Sequence, residues 1–295
     1  MSHSFHSVTT LPGVALIELI SRRRCGLALG LAIGLFHLNV GNSIAALVCD
    51  DPSTAVSPAT SEAVEAASLS EADPSASHGT RNWVDVSGRN FEIADGWSLK
   101  LVVSPDLAPR PITASLDDLG RLYVADSSGS NEPVERQLAN PTHRILRLVD
   151  QDGDGVYDGS TTFADRMMFP EGTLWHQGSL YVAAPPQIWK LTDDDDDGVA
   201  DRREVWFDGL TLTGCANDLH GPYLGRDGWI YWCKGAFAEQ TYERPDGSTW
   251  TTRASHVLRR RVGGGEIESV MAGGMDNPVD TVFTIGGERL FTTTF

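Results

Sequence analysis

Arg144–Asp158 reads RILRLVDQDGDGVYD, and Gln187–Asp201 reads QIWKLTDDDDDGVAD. Each stretch is a short apolar run (Ile145, Leu146, Leu148, Val149; Ile188, Trp189, Leu191) that feeds an acidic turn. Both turns follow D-x-D-x-D-G-x-x-D, with Asp150, Asp152, Asp154, Gly155 and Asp158 in the first and Asp193, Asp195, Asp197, Gly198 and Asp201 in the second. Their offset falls in the period of about 40 to 50 residues that propeller blades show.

Aspartates at alternate positions, followed by glycine at a sharp bend, build an oxygen cage for a hard cation such as calcium. The second copy carries Glu204 where a closing carboxylate belongs, whereas the first has Thr161 there. The expected metal ligands are therefore Asp150, Asp152, Asp154, Asp158, Asp193, Asp195, Asp197, Asp201 and Glu204. The flanks are short and apolar, and Glu204–Phe207 reads as strand, so these are loops between strands and not helix-loop-helix hands. Adjacent aspartates in the run Asp193–Asp197 repel by about 1 kcal/mol per pair even in water, and a divalent cation reverses that sign. The alternative is an open, solvated acidic turn.

A second unit alternates with the acidic turns. GRLYVAD (120–126), GSLYVAA (178–184), GWIYWCK (228–234) and GERLFTT (287–293) each place a turn glycine ahead of a β-rich strand. A strand with Arg or Lys follows the first three, then a turn, then a further strand, which makes about four strands per unit. Almost no amphipathic helical pattern follows residue 90. The expected fold is all-β, a propeller built from residues 89–295, with stacked sandwiches as the alternative. That span holds about three and a half units, fewer than closure needs, so the chain reads as an incomplete propeller.

The net charge is −17, with 23 Lys and Arg against 40 Asp and Glu, which excludes a nucleic-acid role. Residues 1–45 read as an export signal: Arg22–Arg24 are basic, Cys25–Val40 is apolar, and Ser43 and Ala45 are small. Export places the protein in the periplasm or cell envelope; the alternative is an uncleaved anchor through residues 25–40. Residues 46–88 are rich in Ser, Ala, Pro and Glu and read as a disordered linker. An exported chain permits a Cys215–Cys233 disulfide, with two buried thiols as the alternative. No C-x-x-C-H occurs, so no c-type haem is attached to this chain.

Residues 91–104 (FEIADGWSLKLVVS), 120–126, 218–232 (DLHGPYLGRDGWIYW) and 273–278 (GGMDNP) resemble the membrane-bound dehydrogenases of some bacteria, relatives of the soluble quinoprotein glucose/sorbosone dehydrogenases. The resemblance implies a six-bladed propeller that oxidises a sugar or polyol, with pyrroloquinoline quinone as cofactor and a c-type cytochrome as electron acceptor. In that family a His acts as base, a strand-end Asp orients it, and an Arg stands in an Arg-Asn-Pro turn. His220 matches the base; Ala236 stands in place of the Asp, and Asp276 in place of the Arg. Asp218 is the candidate orienting group and Asp276 a candidate acid–base partner. A calcium-stabilised binding or scaffold module without turnover is the other reading.

Overall fold

The computed structural model describes residues 8–11, 14–21, 32–35, 46–49, 81–95, 97–213 and 219–294. The basic residues 22–24, most of the apolar run and the small residues of the expected signal lie outside them, as do the linker residues 50–80, Cys215 and Asp218. Val8–Leu11 and Val14–Ser21 form a hairpin that pairs with Trp97–Leu101, and Ala32–Leu35 pairs with Ala46–Cys49. No described helix is long and apolar enough to cross a membrane.

The described chain is all-β, 56% strand, in several antiparallel sheets. Arg81–Val86, within the expected linker, pairs as a hairpin with Arg89–Ala94 at the start of the expected propeller. Its turn is Ser87-Gly88, both at positive φ, the geometry that matches the twist of a two-residue hairpin. Three four-stranded meanders follow. The first sheet is Pro111–Leu116, Leu122–Asp126, His143–Val149 and Gly159–Met167; the second is Gly172–His176, Ser179–Ala184, Gln187–Thr192 and Arg202–Asp208. The third is Leu219–Leu224, Trp229–Lys234, His256–Arg261 and Gly264–Ala272. Asn277–Phe283 and Arg289–Thr294 make a final hairpin. The expected four strands per unit are present, and the one short described helix is Val134–Ala139.

The sheets stack face to face, and the second strand of each explains why. Its residues are buried on both sides, and alternate side chains enter different cores. Tyr123 and Ala125 pack with Leu180, Val182 and Ala184 between the first and second sheets. Tyr181 and Ala183 face the other way and pack with Ile230 and Trp232 between the second and third. Tyr231 and Cys233 then meet Phe283 of the final hairpin. Thus the period-2 pattern of a strand disappears from hydropathy while remaining in packing. Aromatic rings fill each seam: Tyr123 lies 5.2 Å from Trp175, Trp206 lies 5.6 Å edge-on to Trp232, and Tyr231 lies 4.8 Å from Phe283.

The first strands are neighbours too: Pro111–Leu116 lies beside Gly172–His176, that beside Leu219–Leu224, and that beside Asn277–Phe283. Meander order then fixes the ends. The first strand of each sheet enters at the end where its second strand joins its third. The acidic turns join third to fourth strands and so lie at the opposite end.

His256 begins the third strand of the third sheet and is 3% exposed. Its Nε2 is 2.8 Å from Thr252 Oγ1 and its Nδ1 2.8 Å from Ser269 Oγ. Burial, and then the positive charge of Lys234, lower its pKa to about 4. A folded-state value below the unfolded value of about 6.5 means that stability present above pH 6.5 is lost as pH falls towards 4. His256→Gln is expected to flatten this part of the acid limb; the check is the urea midpoint at pH 7 and pH 5 for both proteins.

Candidate functional site

Three first strands deliver the polar residues that meet at the entry end. Glu171 immediately precedes Gly172–His176, His220 is the second residue of Leu219–Leu224, and Asn277 opens Asn277–Phe283. His220 Nδ1 lies 3.0 Å from Glu171 Oε2, with side chains 12% and 6% exposed. His220 Nε2 lies 3.2 Å from Asn277 Nδ2. The Glu171 contact is a close ion-pair approach and not an aligned hydrogen bond, and a carboxylate beside Nδ1 favours the tautomer with the proton there, leaving Nε2 as the basic nitrogen. A carboxylate behind a histidine fixes its tautomer and ring orientation.

The sequence explains the convergence. Leu174 pairs with Tyr181 and Tyr223 with Tyr231, so Glu171-Gly172 and His220-Gly221 occupy like places in two sheets. Gly172 permits contact between them: a Cβ there would overlap the Gly221 carbonyl oxygen and lie 2.5 Å from its carbon. Below them, Tyr223 is half-buried and donates from Oη to Val279 O at 2.7 Å. Burial, reinforced by Asp280, holds its phenol protonated.

Glu171 was not anticipated. A Glu-Gly pair ahead of a strand has no motif, and only its likeness of position to His220-Gly221 could have marked it. Asp218, the expected orienting group, lies outside the described residues. Asp276 accepts the Ala236 N–H at its carbonyl, 2.9 Å away, so these two turns adjoin beside Asn277. Its carboxylate forms no ion pair among the described residues. The dehydrogenase reading of the sequence also gathers Arg244 with His220 and Asp276, but Arg244 is exposed at the tip of the Gln240–Glu243/Thr249–Thr252 hairpin, 6.0 Å from the Trp250 ring.

Cys233 is a free, fully buried thiol, 3.4 Å from Thr281 Oγ1. Burial pushes its pKa up to about 12. The thiolate is the reactive form, so Cys233 is expected to resist iodoacetamide in the folded protein and react once it is unfolded; mass spectrometry of the alkylated peptide checks this.

At the far end the two acidic turns fold alike. Asp150 Oδ2 accepts the Gly155 N–H at 2.8 Å, and Asp193 Oδ2 accepts that of Gly198 at 2.9 Å. Asp158 reaches back to the Gln151 N–H and Asp201 to that of Asp194. Carboxylate oxygens of Asp150, Asp152 and Asp154 lie within 4.8 Å of one another, as do those of Asp193, Asp195 and Asp197. Glu204 is not in that cluster. It sits mid-strand opposite Lys190, whose Nζ is 3.9 Å from its carboxylate. The chain enters a strand at Arg202, and a strand carries Glu204 away from the turn.

The sequence reads Arg253, Arg259, Arg260 and Arg261 as a basic strand face that pairs with the acidic loops, and the structure gives these turns other partners. Arg259 pairs with Glu268 and Asp227, and Arg253 with Glu239. The second acidic turn instead meets Arg121, Arg147 and Arg202, while at the first Lys100 Nζ donates to Asp154 O at 2.9 Å.

With this geometry in place, the chain is assigned by comparison. It belongs to the family described as domain of unknown function (DUF7133), whose model matches residues 84–282. No curated protein matches it.

Proposed function

We propose that residues 89–295 are part of a six-bladed-type propeller in an exported, dehydrogenase-like protein that acts on a sugar or polyol hydroxyl. Face-to-face sheets with adjoining first strands support the propeller reading. The observation that carries the chemistry is the 3.0 Å approach of Glu171 Oε2 to His220 Nδ1. His220 Nε2 is the base, and a substrate hydroxyl takes the place held by Asn277 Nδ2. As the hydroxyl proton moves to Nε2, Glu171 stabilises the imidazolium, and this is the step the pair accelerates.

The residues around His220 do not fit pyrroloquinoline quinone, a tricarboxylate. Glu171 is the group facing His220, and Asp276 and Asp280 flank Asn277. Lys234, on the strand paired with that of His220, is fully buried and donates to Gly235 O at 2.8 Å and Ala254 O at 3.0 Å. Adding three negative charges beside these carboxylates is unfavourable. We derive no step through the quinone, and the hydride acceptor is a group these residues do not include. A c-type cytochrome remains the proposed electron partner.

The test is turnover of the full chain on a panel of sugars and polyols with an artificial electron acceptor, in wild type and His220→Gln. Turnover that vanishes in the variant supports the reading; absence of turnover in wild type on every compound, with and without added quinone, refutes it. The second reading, a scaffold without turnover, is favoured by the fact that both His220 nitrogens have protein partners. On that reading His220→Gln lowers only stability.

A further inference from the structure

The two acidic turns share backbone geometry but not electrostatics. In the first, Asp150 uses both oxygens on backbone N–H groups, Gly153 to Oδ1 and Gly155 to Oδ2, each at 2.8 Å. In the second, Oδ2 of Asp193 serves both Gly198 N–H and Arg147 Nη1, the latter at 3.3 Å. Oδ1 of Asp193 has no donor, and the side chain is 4% exposed. A buried carboxylate oxygen left without a partner costs free energy, and the oxygens of Asp195 and Asp197 cluster with this carboxylate. The oxygen without a donor thus belongs to the carboxylate that clusters with Asp195 and Asp197.

The surroundings say what is missing. Arg147 and Arg121 meet Asp196, Arg147 meets Asp193, and Arg202 meets Asp194. Three guanidinium groups face the six carboxylates of Asp193–Asp197 and Asp201, so the turn keeps an excess of negative charge. A hard divalent ion with oxygen ligands suits that set. The same turn is the contact between two sheets. Arg147 belongs to the third strand of the first sheet, Arg121 stands just ahead of its second strand, and Ala200 N–H donates to Phe163 O of its fourth strand at 2.8 Å.

We infer that the turn Asp193–Asp201 binds one divalent cation of the calcium class more tightly than the turn Asp150–Asp158 does, and that the bound ion fastens the second sheet to the first. The site is at the opposite end of the sheets from His220, so it is a stabilising site, and it stands or falls independently of the proposed chemistry.

The experiment uses the full chain stripped with chelator, titrated with calcium by calorimetry, and repeated for Asp195→Asn and Asp152→Asn. Both positions are exposed, and asparagine keeps the acceptor that each turn uses, so folding is preserved. The expected result is one dominant site, weakened at least tenfold by Asp195→Asn and less than twofold by Asp152→Asn. Amide exchange of Ala200 should slow on adding calcium in wild type and Asp152→Asn but not in Asp195→Asn. Absence of saturable binding, equal weakening by the two variants, or an Ala200 amide indifferent to calcium overturns the inference.

Discussion

Gly172→Ala is expected to destabilise the protein by about 4 kcal/mol or more, a size reserved for substitutions with no room to relax. The added Cβ would overlap the carbonyl oxygen of Gly221, and the obstacle is backbone on both sides. No rotamer change relieves it; the first strands of the second and third sheets must part. Gly178→Ala is the control. Its φ is +76° and nothing lies within 4 Å of the added carbon, so it carries only a backbone cost of about 1 to 2 kcal/mol. Urea denaturation of both variants measures the difference. Because the same two strands hold Glu171 and His220, Gly172→Ala should also disturb the imidazole, whereas Gly178→Ala should leave it as in wild type.

The second large effect concerns activity. On the proposed chemistry His220→Gln removes the base, and loss of general-base catalysis is expected to lower kcat by about 10²- to 10⁴-fold. Glu171→Gln keeps the shape but not the charge. Glu171 acts through His220, so its loss should appear mainly in kcat and in the pH profile, with KM little changed. The two effects are also expected to be non-additive, since Glu171 has its catalytic effect only while His220 is present. Independent, multiplying losses would show that the two residues do not work as a pair.

Much of the fold was legible. The glycine-led strands recur in register, and each of the first three became part of one four-stranded meander, the fourth part of the final hairpin. Repeats are legible because each encodes a local structure: a positive-φ glycine such as Gly120 or Gly228 for a turn, then residues that suit a strand buried on both faces. The acidic turns were legible for the same reason, their hydrogen bonds being formed within a few residues. Glu204 misled because the loop pattern assumes a helical exit that returns the last carboxylate to the ion. Here the exit is a strand, and its register places Glu204 opposite Lys190. Arg259 misled because its partner is set by cross-strand register with Glu268.

The site was half legible. His220 stood out by its motif and by its place at a strand entry. Glu171 did not, because its tie to His220 depends on how two sheets dock through Gly172 and Gly221, and no local pattern records docking. Asn277 lay inside a motif whose acid, Asp276, drew attention, yet Asn277 is the residue that reaches the imidazole. Where function is built from several repeats at once, the sequence shows the repeats more readily than their meeting point.

The central claim is that first strands from three successive sheets bring Glu171, His220 and Asn277 to one point and so hold His220 with its proton on Nδ1. Long-range proton–nitrogen correlation spectra of the ¹⁵N-histidine-labelled protein at pH 8, with His220 assigned through His220→Gln, measure this directly. The account predicts the Nδ1–H tautomer in wild type and a mixture of tautomers in Glu171→Gln. An Nε2–H imidazole in wild type, or a spectrum unchanged by Glu171→Gln, would contradict it.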